Sequence, residues 1–431
     1  MSARLADSAM YGHLWGTEAT RAVFGETGRL QGWLDVLAAL ARAQAAYGLV
    51  PLASAEAITA LRVEQLDLDL VSERTRATGH STLGLIEALA PVLPDEVHAH
   101  VHLGATVQDL TDTWTATALR TVLAEVRRDL LRLQEQLLAL AVRHRDTVMA
   151  GRTHGQPGAP ITFGWKAASW ADELGRHLDR LAEGRPRWLV GQLGGGVGTL
   201  ASQGPDGLAV RARFCAELGL ADPGMAWLTA RDRIAEVGGV LAMVTGTLAR
   251  IGGEVYELQR PEIGELREGL APGVVGSITM PHKRNPERSE HLDTLARLVR
   301  AAAGVLLEGM VGGHERDGRS WKAEWVALPE VCLLTATATS MAVALLDGLE
   351  VDTDAMLANL PATAVSEQAL AVLTPRLGRH AAQAALHGAL AAGPVPDALA
   401  GLLTPDELAG LHPDTGHAAA MVDLVVSRAR S

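Results

Sequence analysis

Apolar positions recur along this chain at helical spacing. Between residues 112 and 146 there is no Pro or Gly, and Leu119, Leu123, Val126, Leu130, Leu133, Leu137 and Leu140 alternate steps of four and three. That is a heptad seam, which predicts a long helix packed against other long helices, within one chain or across a subunit interface. The opposite face carries Arg120, Glu125, Arg127, Arg128, Arg132 and Glu135. Further long helices are predicted from 162 to about 183, 229 to about 260, 286 to about 310 and 328 to about 346, with glycine-rich connectors at 191–198 and 264–276. Sustained period-two strands and βαβ alternation are both missing from the pattern, so the expected fold is all-α.

Prolines punctuate the two ends. Pro51, Pro91 and Pro94 break an N-terminal helical domain over residues 1–104, and a central helix bundle is expected over 105–350. Pro361, Pro375, Pro394, Pro396, Pro405 and Pro413 mark a smaller C-terminal domain of short helices over 351–431. The composition, 48% hydrophobic and 20% charged in 431 residues, supports a large buried core. A formal charge of -12 argues against a nucleic-acid surface and leaves room for a local basic pocket facing an anionic substrate. Cys215 and Cys332 fit neither a metal pattern nor a disulfide framework, which suggests a cytoplasmic protein. Asp7 interrupts any apolar core of a secretory signal. The apolar run 331–346 contains four Thr or Ser and falls short of the ~20 apolar residues that a bilayer needs, so a buried core helix is expected and no membrane partner.

The most informative stretch is 273–286, Gly-Val-Val-Gly-Ser-Ile-Thr-Met-Pro-His-Lys-Arg-Asn-Pro. Gly273 and Gly276 loosen the backbone, whereas Pro281 and Pro286 stiffen it, so the segment is able to close over a ligand. In it Ser277 suits a base or nucleophile, Lys283 an anion partner and Asn285 an orienting hydrogen-bond donor. The stretch resembles the Gly-Ser-Ser-x-Met-Pro-x-Lys-x-Asn-Pro signature of the fumarase/aspartase superfamily. Its His-Lys-Arg-Asn-Pro form is similar to adenylosuccinate lyases and bacterial 3-carboxy-cis,cis-muconate cycloisomerases.

Four more segments extend the resemblance. Residues 102–109, His-Leu-Gly-Ala-Thr-Val-Gln-Asp, resemble a cycloisomerase segment, with Val107 in place of a serine. Asp109 or Thr111 is also placed to cap the long helix that follows. Residues 151–157, Gly-Arg-Thr-His-Gly-Gln-Pro, look like the Thr-His-x-Gln motif, and Glu290, thirteen positions after Ser277, matches the acid that orients that histidine. Residues 192–199, Gln-Leu-Gly-Gly-Gly-Val-Gly-Thr, are similar to a glycine-rich cycloisomerase stretch; a phosphate loop is the alternative, but it lacks the preceding strand and the Gly-Lys-Ser/Thr. Residues 314–325 end in Trp-Lys-Ala-Glu-Trp, which sides with the cycloisomerases but puts Lys322 where histidine is usual, and Ile278 replaces the second serine of the signature. The run His98-x-His100-x-His102 suggests a metal site or, lacking a carboxylate partner, a solvated segment. Arg152, Arg316 and Arg319 suit carboxylate binding or surface ion pairs.

The resemblance covers about residues 20–360. It implies a three-domain all-α fold with a central long-helix bundle, assembled as a homotetramer whose active sites collect segments from three subunits. It also implies β-elimination, or the reverse addition, on a succinate- or muconate-like polycarboxylate through an aci-carboxylate, with no cofactor or metal. By the same token the catalytic residues are Ser277 as base, Lys283, and the pair His154 and Glu290 for leaving-group stabilisation. The substrate contacts implied are His102, Thr106, Gln108, Thr153, Gln156, Asn285, Met280, Arg316 and Lys322. Three other activities remain open: a lyase releasing amine or nitrite from a substituted succinate, an adenylosuccinate lyase lacking the usual serine-histidine run, and a non-catalytic structural bundle. The joint presence of Ser277, His154, Lys283, Asn285 and Glu290 argues against the last.

Overall fold

The computed structural model describes residues 4–80, 82–270, 273–395 and 397–430. Pro396, one of the expected C-terminal breakers, and residues 271 and 272 of the second glycine-rich connector lie outside the described residues. The heptad seam forms one helix, Val107–Arg143. Leu119, Leu123, Val126, Leu130, Leu133 and Leu137 are all buried inside the chain, and Leu140 packs against Ala141, Ala167, Ala168 and Val422. Burying each such leucine contributes roughly 2 kcal/mol, so the spacing of these residues is itself the main reason that the helix docks.

This helix begins five residues before the expected start at 112. The Thr106 amide donates to Asp109 Oδ2 at 2.9 Å, and the amides of Asp109 and Leu110 return to the Thr106 carbonyl at 2.9 and 3.4 Å. Thr106 is therefore the capping position, and Asp109 reaches back to it from the first turn. Phe163–Trp188, Asp232–Leu258 and Glu287–Glu308 follow within a few residues of expectation. The helix Gly318–Asp347 starts ten residues before the expected 328 and carries Pro329 inside it. Asp317 sets that earlier start, because its carboxylate accepts the Gly313 and Arg319 amides at 3.0 Å each. The run 331–346 is a buried core helix, as its composition suggested. On length and hydropathy Gly318–Asp347 and Asp232–Leu258 would suit a bilayer, yet 78% and 61% of their apolar stretches are buried within the chain.

The helical expectation holds except for two small antiparallel sheets. Val148–Thr153 pairs with Gln156–Thr162, and Leu266–Arg267 pairs with Glu350–Val351. Pro157 and Pro160 sit opposite Arg152 and Ala150, so the first hairpin has no clean alternation to reveal it. Its two-residue turn is His154–Gly155 with φ of 52° and 74°, the left-handed pair that a type I′ turn requires.

The chain divides into two compact units, the first of residues 1–128, 178–246 and 294–340, the second of 129–177, 247–293 and 341–431. Within the first, the glycine-rich segment at 192–199 wraps around a carboxylate of its own chain. Asp109 Oδ2 accepts the Gly195 amide at 2.8 Å besides that of Thr106, and Oδ1 accepts the Gly194 amide at 3.0 Å and Gln192 Nε2 at 3.2 Å. The amides that would cradle a phosphate are thus engaged, which removes the nucleotide-loop alternative. Burial outweighs these donors and pushes the Asp109 pKa up to about 6, leaving it ionised at neutral pH. Within the second unit, Ala369, Leu373, Ala382, Leu386, Leu399 and Leu403 form a small core among short C-terminal helices.

Two stability measurements check these points. Leu130→Ala should lose about 2–5 kcal/mol in denaturant unfolding, whereas Leu131→Ala, one position along and 40% exposed, should stay within about 0.5 kcal/mol. Asp109→Asn turns an amide N–H2 toward donors, so thermal unfolding at pH 7.5 should show a loss of about 1–3 kcal/mol despite the near-identical shape.

Candidate active site

In the first unit two segments far apart in sequence come together. Arg316 Nη1 donates to Thr106 Oγ1 at 2.7 Å across 210 positions. Among the described residues the Arg316 guanidinium forms no ion pair, whereas Arg319 pairs with Asp317. An exposed guanidinium held at its edge by a hydroxyl, with its remaining donors uncommitted to a carboxylate, has the chemistry to accept an incoming one.

The first turns of the two helices that Thr106 and Arg316 precede carry a buried ionic cluster that the sequence pattern does not single out. Arg231, 2% exposed, takes the Asp112 carboxylate on both Nη atoms at 2.7 and 3.1 Å and Glu324 on Nε at 2.9 Å. Trp321 Nε1 donates to Asp112 at 3.2 Å, and the Trp227 ring lies 5.0 Å from the guanidinium carbon. Burial and the neighbouring Asp112 charge raise the Glu324 pKa, against the pull of Arg231. Gln108, expected on a substrate, is buried here, and its amide donates to Asp112 at 3.1 Å and to the Leu228 carbonyl at 2.7 Å. Glu324 stood in a segment with a recognisable pattern; Asp112 and Arg231 carry no local signal and required the fold to find them.

His102 adopts φ 61°, and its Nε2 is buried without a hydrogen-bond partner among the described residues. Desolvation lowers its pKa, which favours the neutral ring. The run 98–102 is half-buried rather than solvated, with His98 Nε2 at 2.8 Å from the Ile86 carbonyl. Among the described residues no group of three His, Cys, Asp or Glu is arranged to hold a metal. Lys322 is exposed in the first turns of Gly318–Asp347.

In the second unit the hairpin turn carries Thr153, His154 and Gln156, all exposed, with Thr153 and Gln156 in register opposite each other. Arg152, at the base of this tip, is an ion-pair residue: both Nη atoms meet the fully buried Glu265, at 2.6 and 2.9 Å. Asn359 Nδ2 also donates to Glu265, at 2.9 Å, so the strand end is fixed while the tip stays open.

Three residues after Glu265, Glu268 fixes the other motif. Its carboxylate accepts the Arg288 and Ser289 amides at 3.1 and 2.8 Å, capping Glu287–Glu308, the helix that presents the exposed Glu290. The signature loop between them folds back on itself at Gly276, where a Cβ would stand 2.7 Å from the Lys283 carbonyl. Ser277 is half-buried, and its Oγ accepts the Met280 amide at 3.1 Å. Asn285 donates its side-chain amide to Glu287 at 3.2 Å, and Lys283 and Met280 are exposed, as is Ile278 at 96%. The chain has only three lysines, Lys166, Lys283 and Lys322. Lys166 pairs with Glu254, while the two in candidate segments form no ion pair among the described residues.

Comparison with known proteins identifies the family and the fold. Residues 16–301 match the profile of the lyase family. The chain is 44% identical over 369 residues to 3-carboxy-cis,cis-muconate cycloisomerase of Pseudomonas aeruginosa, covering 84% of this chain and 80% of that protein. It is 40% identical over 366 residues to N-acetyl-S-(2-succino)cysteine lyase of Dickeya dadantii, covering 84% and 79%. The fold superposes on the 3-carboxy-cis,cis-muconate lactonizing enzyme from Pseudomonas putida with a TM-score of 0.90 and 35% identity, over 98% of this chain and 99% of that one. Fumarate lyase from Mesorhizobium sp. BNC1 gives 0.87 and 32%, over 96% and 98%. Likeness of this extent, in sequence and in fold, makes the chain an enzyme of the lyase family within the fumarase/aspartase superfamily.

Proposed function

We propose that this enzyme is a 3-carboxy-cis,cis-muconate cycloisomerase. The observation that carries the reading is its 44% identity to such an enzyme over most of both chains. In the lactone-opening direction Ser277, as alkoxide, takes the proton from the carbon next to a carboxylate. The electron pair enters that carboxylate as an aci-carboxylate and returns to form the C=C bond as the C–O bond breaks, freeing the ring oxygen as a carboxylate. Cyclisation is the reverse. The Met280 amide, which donates to Ser277 Oγ, favours the alkoxide, and Lys283 is assigned to the developing negative charge of the substrate.

Arg316 with Thr106, Lys322, Asn285, Thr153 and Gln156 are assigned to the substrate carboxylates, with His102 and Met280 lining the pocket. His154, oriented by Glu290, stabilises the departing oxygen. Gln108 is reassigned from substrate contact to support, since its amide already serves Asp112 and Leu228. The enzyme is proposed to act as a homotetramer in the cytoplasm, each active site combining segments from three subunits; the solvent-facing His154 tip and the two free buried cysteines support these readings. Loss of a thiol from a succinylated cysteine is a second reading, favoured by the 40% identical relative that is named for such a substrate.

The test is an ultraviolet assay with 3-carboxy-cis,cis-muconate, beside N-acetyl-S-(2-succino)cysteine, nitrosuccinate and adenylosuccinate. Loss of the muconate chromophore, slowed roughly 10²–10⁴-fold in Ser277→Ala, is expected. Fumarate released from a succinate, with the muconate untouched, would replace the cycloisomerase by a lyase. Native mass measurement should give four times 45.3 kDa. Mixing inactive Ser277→Ala with inactive His154→Ala under subunit exchange should restore part of the activity, and no recovery would sink the shared-site arrangement.

A further inference from the structure

Five consecutive residues outside every candidate segment, Trp-Leu-Thr-Ala-Arg at 227–231, connect the parts of the first unit that carry candidate residues. The Trp227 amide donates to Gln192 Oε1 at 2.8 Å and its indole to the Gly191 carbonyl at 3.0 Å, reaching the glycine-rich segment. The Leu228 carbonyl accepts Gln108. Thr229 Oγ1 donates to the His314 carbonyl at 2.9 Å. Arg231 joins Asp112, on the first turns of Val107–Arg143, to Glu324, on the first turns of Gly318–Asp347.

The two residues that meet at the carboxylate receptor flank the starts of these same two helices. Thr106 immediately precedes one, and Arg316 stands two residues before the other. Between Thr229 and Arg316 lies His314 at φ 55°, a conformation that a non-glycine residue holds only when its surroundings impose it. The Thr229 hydroxyl is the described side-chain partner of that residue's carbonyl.

We propose that Thr229 and Arg231 are positioning residues that hold Arg316 against Thr106 as a preformed receptor for a substrate carboxylate. This rests on the substrate class proposed above. Arg231 fixes the spacing of the two helix starts through two buried carboxylates. Thr229 fixes the last turn of chain before Arg316 through the strained His314. Without either, the Arg316 guanidinium must be ordered when substrate arrives, and affinity falls by that cost.

The experiment is a double-mutant cycle of Thr229→Val with Arg316→Ala, with Thr229→Ser as the variant that restores the hydroxyl. KM and kcat are read with 3-carboxy-cis,cis-muconate, and binding of propane-1,2,3-tricarboxylate is read by calorimetry, which needs no turnover. Thr229→Val should raise KM and the tricarboxylate Kd on the order of three- to tenfold with kcat within about twofold, and should add nothing in the Arg316→Ala background. Thr229→Ser should recover the parent values. Arg231→Lys, which keeps the charge and loses the fork, should raise KM in the same way. Equal Thr229→Val effects in both backgrounds, a lowered Tm with KM and Kd unchanged, or an Arg316→Ala variant that binds like the parent would each overturn the proposal. Coupled loss of tricarboxylate binding in a protein that leaves the muconate untouched would uphold the positioning role and reject the cycloisomerase.

Discussion

A guanidinium shut away from water must find anions, and Arg231 finds two. With exposures of 2, 3 and 5%, Arg231, Asp112 and Glu324 form a buried cluster of two carboxyl groups around one guanidinium. Desolvating such groups generally costs about as much as their attraction returns, so the cluster is a weak argument for stability. What it supplies is uniqueness. Leucine faces tolerate sliding by a fraction of a turn, whereas a bidentate Arg–Asp pair at 2.7 and 3.1 Å fixes the helix bearing Asp112, and the Nε contact at 2.9 Å fixes the one bearing Glu324. Since the candidate substrate contacts in this unit sit at the starts of those helices, their geometry inherits the registry that the charges impose.

Backbone strain follows the same segments. Among the described residues, the non-glycine residues with left-handed φ are His102, His154, Leu200 and His314. Three lie inside candidate segments, and Leu200 directly follows the glycine-rich one. Each such conformation costs on the order of 1 kcal/mol and persists only where neighbours dictate it. Here the neighbours are visible: the His154 turn closes a hairpin whose base is pinned by Arg152 and Glu265, and the His314 carbonyl is held by Thr229. Rigid anchoring just behind an exposed tip lets a functional side chain face solvent without wandering.

How far the sequence discloses this depends on whether a feature is local. The heptad seam is local, and it forecast the longest helix to within five residues at its start. The signature loop and the Thr-His-x-Gln segment are local too, and both form exposed turns with anchored bases. The hairpin was hidden because Pro157, Pro160 and the glycines around them erase the period-two pattern. Arg231 was hidden for a different reason. One arginine among 38 basic residues becomes informative only when folding carries it to carboxylates 93 and 119 positions away. Gln108 illustrates the converse, a polar residue in a motif whose amide hydrogen bonds turn inward.

Exposure of the remaining candidates bears on assembly. His154, Lys283, Glu290 and Lys322 all face solvent within this chain, and Ser277 is only half-buried. Carbanion charge spread into a carboxylate is stabilised strongly by fixed cations and donors only where water is excluded, because a high dielectric reduces a 4 Å ion contact to about 1 kcal/mol. The proposed chemistry therefore demands a covering surface over groups that one chain leaves bare. Part of that cover can come from the signature loop, which glycine frees at Gly273, with φ 83°, and which folds on itself at Gly276. The hairpin tip has no such loop of its own, since its turn is only two residues long. Cover for that tip is what the proposed assembly of several copies is invoked to provide, and the subunit-exchange experiment tests it at His154.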